Sequence, residues 1–318
     1  MIRLPLLLAV LALASCASGT SLTQAPPEMP ATSSASRVGV LVMAHGGDET
    51  WNSAVDQAVA RLSAEVPVEL AYGMADPYTL RSALDRLGEQ GVERVALVRA
   101  FLSGRSFLDQ TRWFLGLSDR PPAHFVLMGP AAADSSARAQ LRHNLEIRTH
   151  EDGILSSAFA GAIMADRARE VSRTPDGESV LLLAHGMGDD GENDQVLAAV
   201  DRIADEVERH GFSDVRSATL REDWEEARVL AEQQIRGYVT DRSAAGDRVL
   251  VLPVRLTGFG PYADVLVGLD YVAGEGLLPH PLIGDWIMTT ANAVSCNAGW
   301  GAVEGRCLSV IAEGEAGS

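Results

Sequence analysis

The sequence predicts an α/β fold made of two similar halves, each a parallel sheet flanked by helices. Continuous apolar runs of strand length alternate with helical patterns, which is typical of parallel strands joined by right-handed crossovers. The pattern that begins at Val38 begins again at Ser179. The chain has 318 residues, enough for about two domains.

The first half opens with a strand, a polar loop and a helix. The apolar run Val38–Ala44 has the length and composition of a buried strand. The loop His45-Gly46-Gly47-Asp48-Glu49 follows it. Apolar residues then recur at helical spacing, which predicts a helix with one buried face: Val55, Val59 and Leu62.

The second half repeats this order. Residues 180–184 form the apolar strand, and His185-Gly186-Met187-Gly188-Asp189-Asp190 forms the loop. The helix that follows has Val196, Val200, Ile203 and Val207 on one face. Asn52 and Asn193 stand at corresponding helix entries, where an asparagine side chain can cap the first turn.

Further strands follow in both halves. Val68–Tyr72 is a second strand, and Asp76-Pro77 then starts a helix with a cap and a first-turn proline. In the second half, residues 215–220 and Asp223 are expected to play these parts. Third strands are predicted at residues 94–102 and 248–256, and a fourth at residues 124–128.

The start of the chain predicts export and anchoring. Residues 1–16 combine a basic start, an apolar core and the ending Leu13-Ala14-Ser15-Cys16, which is the pattern of a signal peptide. This ending resembles the bacterial lipobox, so Cys16 is the predicted lipid anchor, and the protein is expected at the periplasmic face of a bacterial membrane. The alternative is an ordinary secretory signal with an incidental cysteine.

The predicted organisation has five parts. No stretch after the signal reaches the roughly 18 apolar residues that a membrane helix needs. The parts are the signal peptide at 1–16, a tether rich in Ser, Ala, Thr and Pro at 17–36, halves at 37–150 and 151–293, and a tail at 294–318.

The charge and the cysteine content limit which partners and which metal sites are expected. The chain has 43 acidic and 26 basic residues, a formal charge of −17, so its field repels phosphate backbones and nucleic acid is not an expected partner. Cys296 and Cys307 could close a small loop in an oxidising compartment. A thiolate metal site is disfavoured because neither cysteine lies in a CxxC pair.

The chemistry centres on His45 and His185. Each follows the first strand of its half, and ligands of open α/β sheets gather beyond the carboxyl ends of the strands. The glycine after each histidine lets a bulky ligand approach the backbone. His280, between two prolines, is interpreted as a helix-entry residue. The remaining histidines are interpreted as surface or structural residues: His124, His143, His150 and His210.

The order of these motifs resembles the class II chelatases, the sirohydrochlorin cobaltochelatase and ferrochelatase family, in its long two-half form. An apolar strand, Ala-His-Gly, a polar loop and an asparagine-headed helix carry the resemblance. Two further segments contribute: Phe101-Leu102-Ser103-Gly104, similar to the family's Phe-Leu-x-x-Gly loop, and Leu278-Pro279-His280-Pro281-Leu282, similar to its Pro-His-Pro segment. The similarity extends from Arg37 to about Ala293.

The resemblance implies a protein that inserts a divalent metal ion, cobalt, iron or nickel, into a tetrapyrrole. His45 corresponds to the family's metal-binding and proton-accepting histidine, and His185 is its counterpart in the second half. Active members have a second histidine two residues after the glycine of the Phe-Leu-x-x-Gly loop, where this chain has Ser106. A serine hydroxyl is a poor ligand for such metals.

Three arrangements could compensate for the missing histidine. His45 and His185 could face one cleft, the protein could bind a tetrapyrrole without loading it, or acidic loop residues could complete the metal shell. The acidic candidates are Asp48, Glu49, Asp189, Asp190 and Glu192. The functions compared are therefore a chelatase, which would be a lyase, a non-catalytic metal- or tetrapyrrole-binding envelope protein, and a scaffold whose ancestral site has decayed.

Overall fold

The computed structural model describes residues 37–307 and confirms the predicted fold class. The signal segment 1–16 with Cys16, the tether 17–36 and residues 308–318 lie outside the described residues. No helix of the described chain combines the length and apolar character needed to cross a bilayer.

Two four-stranded parallel sheets form the framework, with strand orders β2-β1-β3-β4 and β6-β5-β7-β8. Ala44 at the end of β1 pairs with Tyr72 and Ala100, and Ala184 at the end of β5 pairs with Thr219 and Val254. The strands are β1 Val38–Ala44, β2 Val68–Tyr72, β3 Arg94–Ala100, β4 Glu146–Thr149, β5 Glu178–Ala184, β6 Asp214–Thr219, β7 Arg248–Val254 and β8 Val272–Ala273.

Helices cover both faces of the sheets. They are α1 Glu49–Glu65, α2 Pro77–Glu89, α3 Leu108–Phe114, α4 Gly129–Ala133, α5 Ala158–Val171, α6 Asp190–Glu208, α7 Glu225–Ala244, α8 Tyr262–Val265 and α9 Pro281–Asn297. The helical faces predicted for α1 and α6 are buried, with the exception of Val196, which is only partly buried. Asp76 caps α2 by accepting hydrogen bonds from the backbone of Tyr78 and Thr79, as predicted.

The fourth strand of the first half was placed wrongly. Residues 124–128 are not a strand, and Val126 and Met128 are largely exposed. The side chain of Gln110 binds the backbone of Val126 on both sides, donating to its carbonyl and accepting from its amide. The strand at this sheet edge is β4. It was missed in the sequence because only Ile147 of its four residues is buried, so it has no continuous apolar run.

The third strands end two residues before the predicted bounds. From Phe101 and Arg255 onward, the backbone carbonyls bond to the segments that follow the fourth strands. The amide of Ile154 donates to Phe101 (3.1 Å) and that of Leu277 donates to Arg255 (2.9 Å). Because these bonds match, Phe101 and Arg255 occupy equivalent places in the two halves.

Two helices connect the two sheets. α5, which follows β4 in the chain, packs on α6 and β7 beside the second sheet, whereas α9, near the end of the chain, packs on β3 and α1 of the first half. Two glycines permit the close approach: a Cβ on Gly161 would meet Glu206, and one on Gly284 would meet the Ala58 carbonyl. One continuous apolar core therefore joins both halves.

The chain after α9 folds back on itself. Cys296 and Cys307 form a disulfide, the pairing that the sequence left open. The loop that it closes is bonded to α9, since Ser295 Oγ donates to the Gly301 carbonyl (2.7 Å) and Asn292 Oδ1 accepts from the amide of Val303 (2.7 Å). The described residues after α9, up to Cys307, are thereby fixed to that helix.

Candidate functional site

His45 and His185 project from the carboxyl ends of the central strands β1 and β5. In each, Nδ1 lies close to the carbonyl of the following glycine, at 2.8 Å for His45 and 2.9 Å for His185. A carbonyl only accepts, so Nδ1 donates to it and Nε2 is the ring nitrogen left for another partner. Backbone carbonyls orient metal-binding histidines in the same way.

The loops that carry these histidines are fixed by asparagines. Gly46 and Gly186 have φ values of +79° and +83°, in the left-handed region that favours glycine. Asn52 Oδ1 accepts from the Gly47 amide (3.0 Å), and Asn193 Oδ1 accepts from the Met187 amide (3.1 Å). The sequence suggested that these asparagines cap the first turn of the helix. Instead, their side chains bind the backbone of the histidine loop.

The second half brings two carboxylates to its histidine. His185 Nε2 lies 3.2 Å from Asp223 Oδ2 and 3.9 Å from Glu222 Oε2. The expectation that Asp223 caps the next helix was wrong, because α7 begins after Trp224 and Asp223 faces the imidazole instead. Two carboxylate oxygens therefore lie within 4 Å of one imidazole nitrogen.

Local backbone geometry places these acids. Arg221, two residues after the end of β6, adopts a left-handed conformation (φ 56°), which is rare for a residue with a side chain. Its side chain binds the Gly188 carbonyl and pairs with Asp190 (2.7 Å). The amide of Glu222 donates to the His185 carbonyl (3.2 Å), so the loop after β6 is bonded to the histidine loop.

Trp224 forms one wall of the site. Its ring meets the His185 ring edge-on, with the centroids 5.9 Å apart. Gly188 makes room for it, because a Cβ at that position would collide with the indole. The imidazole is thus held by an aromatic ring on one side and faces carboxylates with Nε2.

The first half brings no carboxylate to its histidine, since Asp76, at the place of Asp223, caps α2. Gly73 and Leu220 are equivalent, since their amides donate to Ala44 and Ala184 (2.9 Å each). After Gly73 the chain continues with Met74 and Ala75, where the second half has Arg221 and Glu222. The His45 ring is exposed and lies 6.4 Å from the Trp51 ring, and no carboxylate of the described chain pairs with it.

The acidic loop residues singled out from the sequence have mainly local partners. Asp48 and Asp189 are helix caps that accept from the amides of Trp51 and Glu192. Asp190 pairs with Arg221, while Glu49 and Glu192 are exposed in the first turns of α1 and α6. Their predicted metal role stays a prediction.

Ser106 lies in a loop held by a buried arginine that sequence reasoning missed. Arg99 is 1% exposed, and its Nη2 donates to the carbonyls of Gly104 (2.7 Å) and Ser106 (2.6 Å). Desolvation, with the charge of Arg112, lowers the pKa of Arg99 to about 10. The available signal was a charged residue inside an otherwise apolar strand.

Three of the other histidines, His150, His280 and His143, have structural contacts. The Arg99 amide donates to His150 Nε2 (2.9 Å), and burial, followed by the Arg99 charge, lowers the pKa of His150 to about 4. His280 is the N-cap of α9, as predicted, and its Nδ1 accepts from the Leu282 amide (3.3 Å). His143 contacts two backbone carbonyls, His124 is exposed and His210 is half-buried.

No ready-made metal cage is present in the described chain. Between residues 37 and 307, no group of three or more His, Cys, Asp or Glu side chains has the geometry to hold a metal ion. The His185 group would need small side-chain movements to close on one. Asp223 can supply such a movement because its side chain is 73% exposed.

Comparison with known proteins relates the chain to chelatases. The CbiX family model matches residues 39–107, and no curated protein matches the sequence. SirB from Bacillus subtilis with Fe3+ has a TM-score of 0.59 at 12% identity, with 83% of this chain and 97% of SirB covered. The sirohydrochlorin chelatase SirB from Bacillus subtilis subspecies spizizenii in complex with cobalt has a TM-score of 0.55 at 12% identity, with coverages of 82% and 96%.

A multi-domain relative has the same fold. DR2241 from Deinococcus radiodurans, described as structurally similar to chelatases, has a TM-score of 0.51 at 14% identity. The match covers 80% of this chain and 55% of DR2241. At these identities the structural matches establish the fold.

Proposed function

We propose that this chain is a member of the class II chelatase family, to which its fold and the match over residues 39–107 relate it, and that it binds a divalent metal ion at His185 and inserts it into a tetrapyrrole. The observation that carries the proposal is the approach of two carboxylates to His185 Nε2, at 3.2 and 3.9 Å. Sequence reasoning favoured His45 as the catalytic residue, and the geometry favours its counterpart.

The residues suit the chemistry of metal insertion. Imidazole nitrogen with carboxylate oxygens is a donor set for cobalt, nickel and ferrous ions, all of which this mixture of ligands accommodates. Insertion releases two protons from the pyrrole nitrogens, and carboxylates beside the metal can accept them. Asp223, largely exposed, can carry a proton to solvent, while Glu222 is 11% exposed and stays in place.

The first metals to test follow from the relatives. The SirB structures contain Fe3+ and cobalt, and sirohydrochlorin is the macrocycle named for one of them. The assay follows the absorbance of sirohydrochlorin with Co2+ and purified protein. We expect insertion above the spontaneous rate, and a rate lowered by about 100-fold or more in His185→Ala, because both ligand and proton path are disturbed.

Matched histidine variants locate the site. His45→Ala tests the other strand-end histidine, and His124→Ala, an exposed residue, is the control. We expect a smaller loss for His45→Ala than for His185→Ala and none for the control. A loss confined to His45→Ala would place the chemistry in the first half and contradict the proposal.

A second candidate is binding without turnover. Ser106 stands where the resemblance implies a second histidine, and Arg99 fixes its backbone, which favours a site with fewer metal ligands. In this case the protein would bind Co2+ or sirohydrochlorin, but metal insertion would be no faster than the spontaneous rate without protein. Titrations of both, in parallel with the rate assay, separate the two functions.

The location is proposed from the start of the sequence. A lipid-anchored protein at the periplasmic face of a membrane would fractionate with membranes and take up a radioactive fatty acid. We expect Cys16→Ser to abolish the labelling. Labelling that persists in Cys16→Ser would contradict the proposed anchor.

A further inference from the structure

We propose that Arg255 is a positioning residue that holds Glu222 toward His185 and thereby sets the metal affinity of the second-half site. This inference rests on the proposed function and assigns a role to a residue outside the set of metal ligands. Arg255 follows β7, on a different strand from both His185 and Glu222.

The two oxygens of Glu222 have separate partners. Oε1 lies 2.5 Å from Arg255 Nη1, and Oε2 faces His185 Nε2 at 3.9 Å. The guanidinium therefore selects one side-chain orientation of Glu222, with one oxygen left for the site. Without it, a mobile carboxylate would lose side-chain freedom on binding a metal.

The guanidinium itself is fixed by its surroundings. It lies over the ring of Tyr262, a fully buried residue, at 5.7 Å from the centroid. On another side is Gly260, where a Cβ would stand 2.9 Å from Arg255 Cζ. Since Gly260 also has φ +62°, a larger residue there would meet both backbone strain and this contact.

The arrangement belongs to the second half alone. Arg255 is equivalent to Phe101, so Gly260 is equivalent to Ser106, five positions further along in each half. The first half thus has Phe101 in place of the arginine and Ala75 near the place of Glu222. The arginine and the carboxylate occur together, as expected if one serves the other.

The test is a double-mutant cycle on Co2+ binding, measured by calorimetry and by the visible absorption of bound Co2+. The proteins are the full chain, Arg255→Gln, Glu222→Gln and the double variant. We expect Arg255→Gln to weaken binding by about 10- to 100-fold, the loss typical of removing a group that orients a metal ligand. Arg255→Lys should bind more tightly than Arg255→Gln, because it restores one charged donor.

The cycle separates positioning from general damage. If Arg255 acts through Glu222, Arg255→Gln should change Co2+ affinity by less than about threefold when Glu222→Gln is already present. Arg209→Gln, which breaks a surface pair with Glu206, is the control and should leave affinity unchanged. Thermal melts identify any variant that fails to fold, and Arg255→Lys then carries the test.

The outcomes distinguish this inference from the proposed function. Unchanged or tighter binding in Arg255→Gln, or an equal loss with and without Glu222, would overturn the role of Arg255, while loss of binding in His185→Ala would still support the site. A wild-type protein that does not bind Co2+ would instead overturn the proposed function, and the inference with it.

Discussion

Asn193 and Asn52 hold equivalent histidine loops but differ in burial, and this difference predicts unequal effects of the same substitution. Asn193 is 6% exposed, and its Oδ1 accepts from the Met187 amide (3.1 Å) and from Thr219 Oγ1 (2.9 Å). Asn52 is half-buried, and its amide group contacts only the backbone of Gly47 among the bonds of the described chain. The perturbation is alanine at each position.

The expected magnitudes follow from the lost bonds. Asn193→Ala removes two hydrogen bonds worth about 1 kcal/mol each and leaves donors buried without a partner, so the free energy of unfolding should fall by about 2–4 kcal/mol. At Asn52, water can replace the side chain at the exposed Gly47. The loss there should be about 1 kcal/mol or less.

Urea denaturation followed by circular dichroism measures both values. The slope of the free energy with urea should stay the same, since the surface exposed on unfolding does not change. Asn193→Ala should also weaken Co2+ binding, because the His185 loop loses its anchor. Equal destabilisation by the two substitutions would refute the reasoning.

Three further predictions concern stability. Burial, with the Arg99 charge, lowers the pKa of His150 to about 4, so the unfolded chain binds its proton first as pH falls. The contribution of His150 to the free energy of unfolding is therefore complete above about pH 6.5 and declines by about 2–3 kcal/mol toward pH 4. Urea denaturation at several pH values should show this decline in the wild type, and His150→Gln should lack it. Replacing Cys296 and Cys307 by serine should lower the free energy of unfolding by about 2–3 kcal/mol, and an unchanged midpoint would show that the bridge adds nothing. Hydrogen bonds and an arginine outweigh burial and lower the pKa of Glu178, so its contribution is present above about pH 4.5 and lost at lower pH, and Glu178→Gln should flatten the acid limb of the stability profile.

The sequence predicted the fold well because the strands that define it are buried on both faces. β1 and β5 read as unbroken apolar runs, and their bounds were right to within two residues. β4 was missed because an edge strand alternates polar and apolar residues over only four positions. The packing of α9 on the first half depends on contacts between segments that are far apart in the sequence, so no local pattern predicts it.

The site was predicted only in part, for a similar reason. The two histidines repeat within one motif and were visible along the chain. Glu222 follows β6 and faces His185, while Arg255 follows β7 and pairs with Glu222, and only the sheet order places the three together. Asp223 stood where a helix cap was expected, so its local pattern concealed its contact with the imidazole.

The most direct measurement is the anomalous diffraction of cobalt in a crystal of the protein grown or soaked with Co2+. The account predicts a cobalt peak about 2.1 Å from His185 Nε2, with oxygens of Asp223 and Glu222 completing its shell. A cobalt ion bound elsewhere, with His185 free and its carboxylates unliganded, would contradict it.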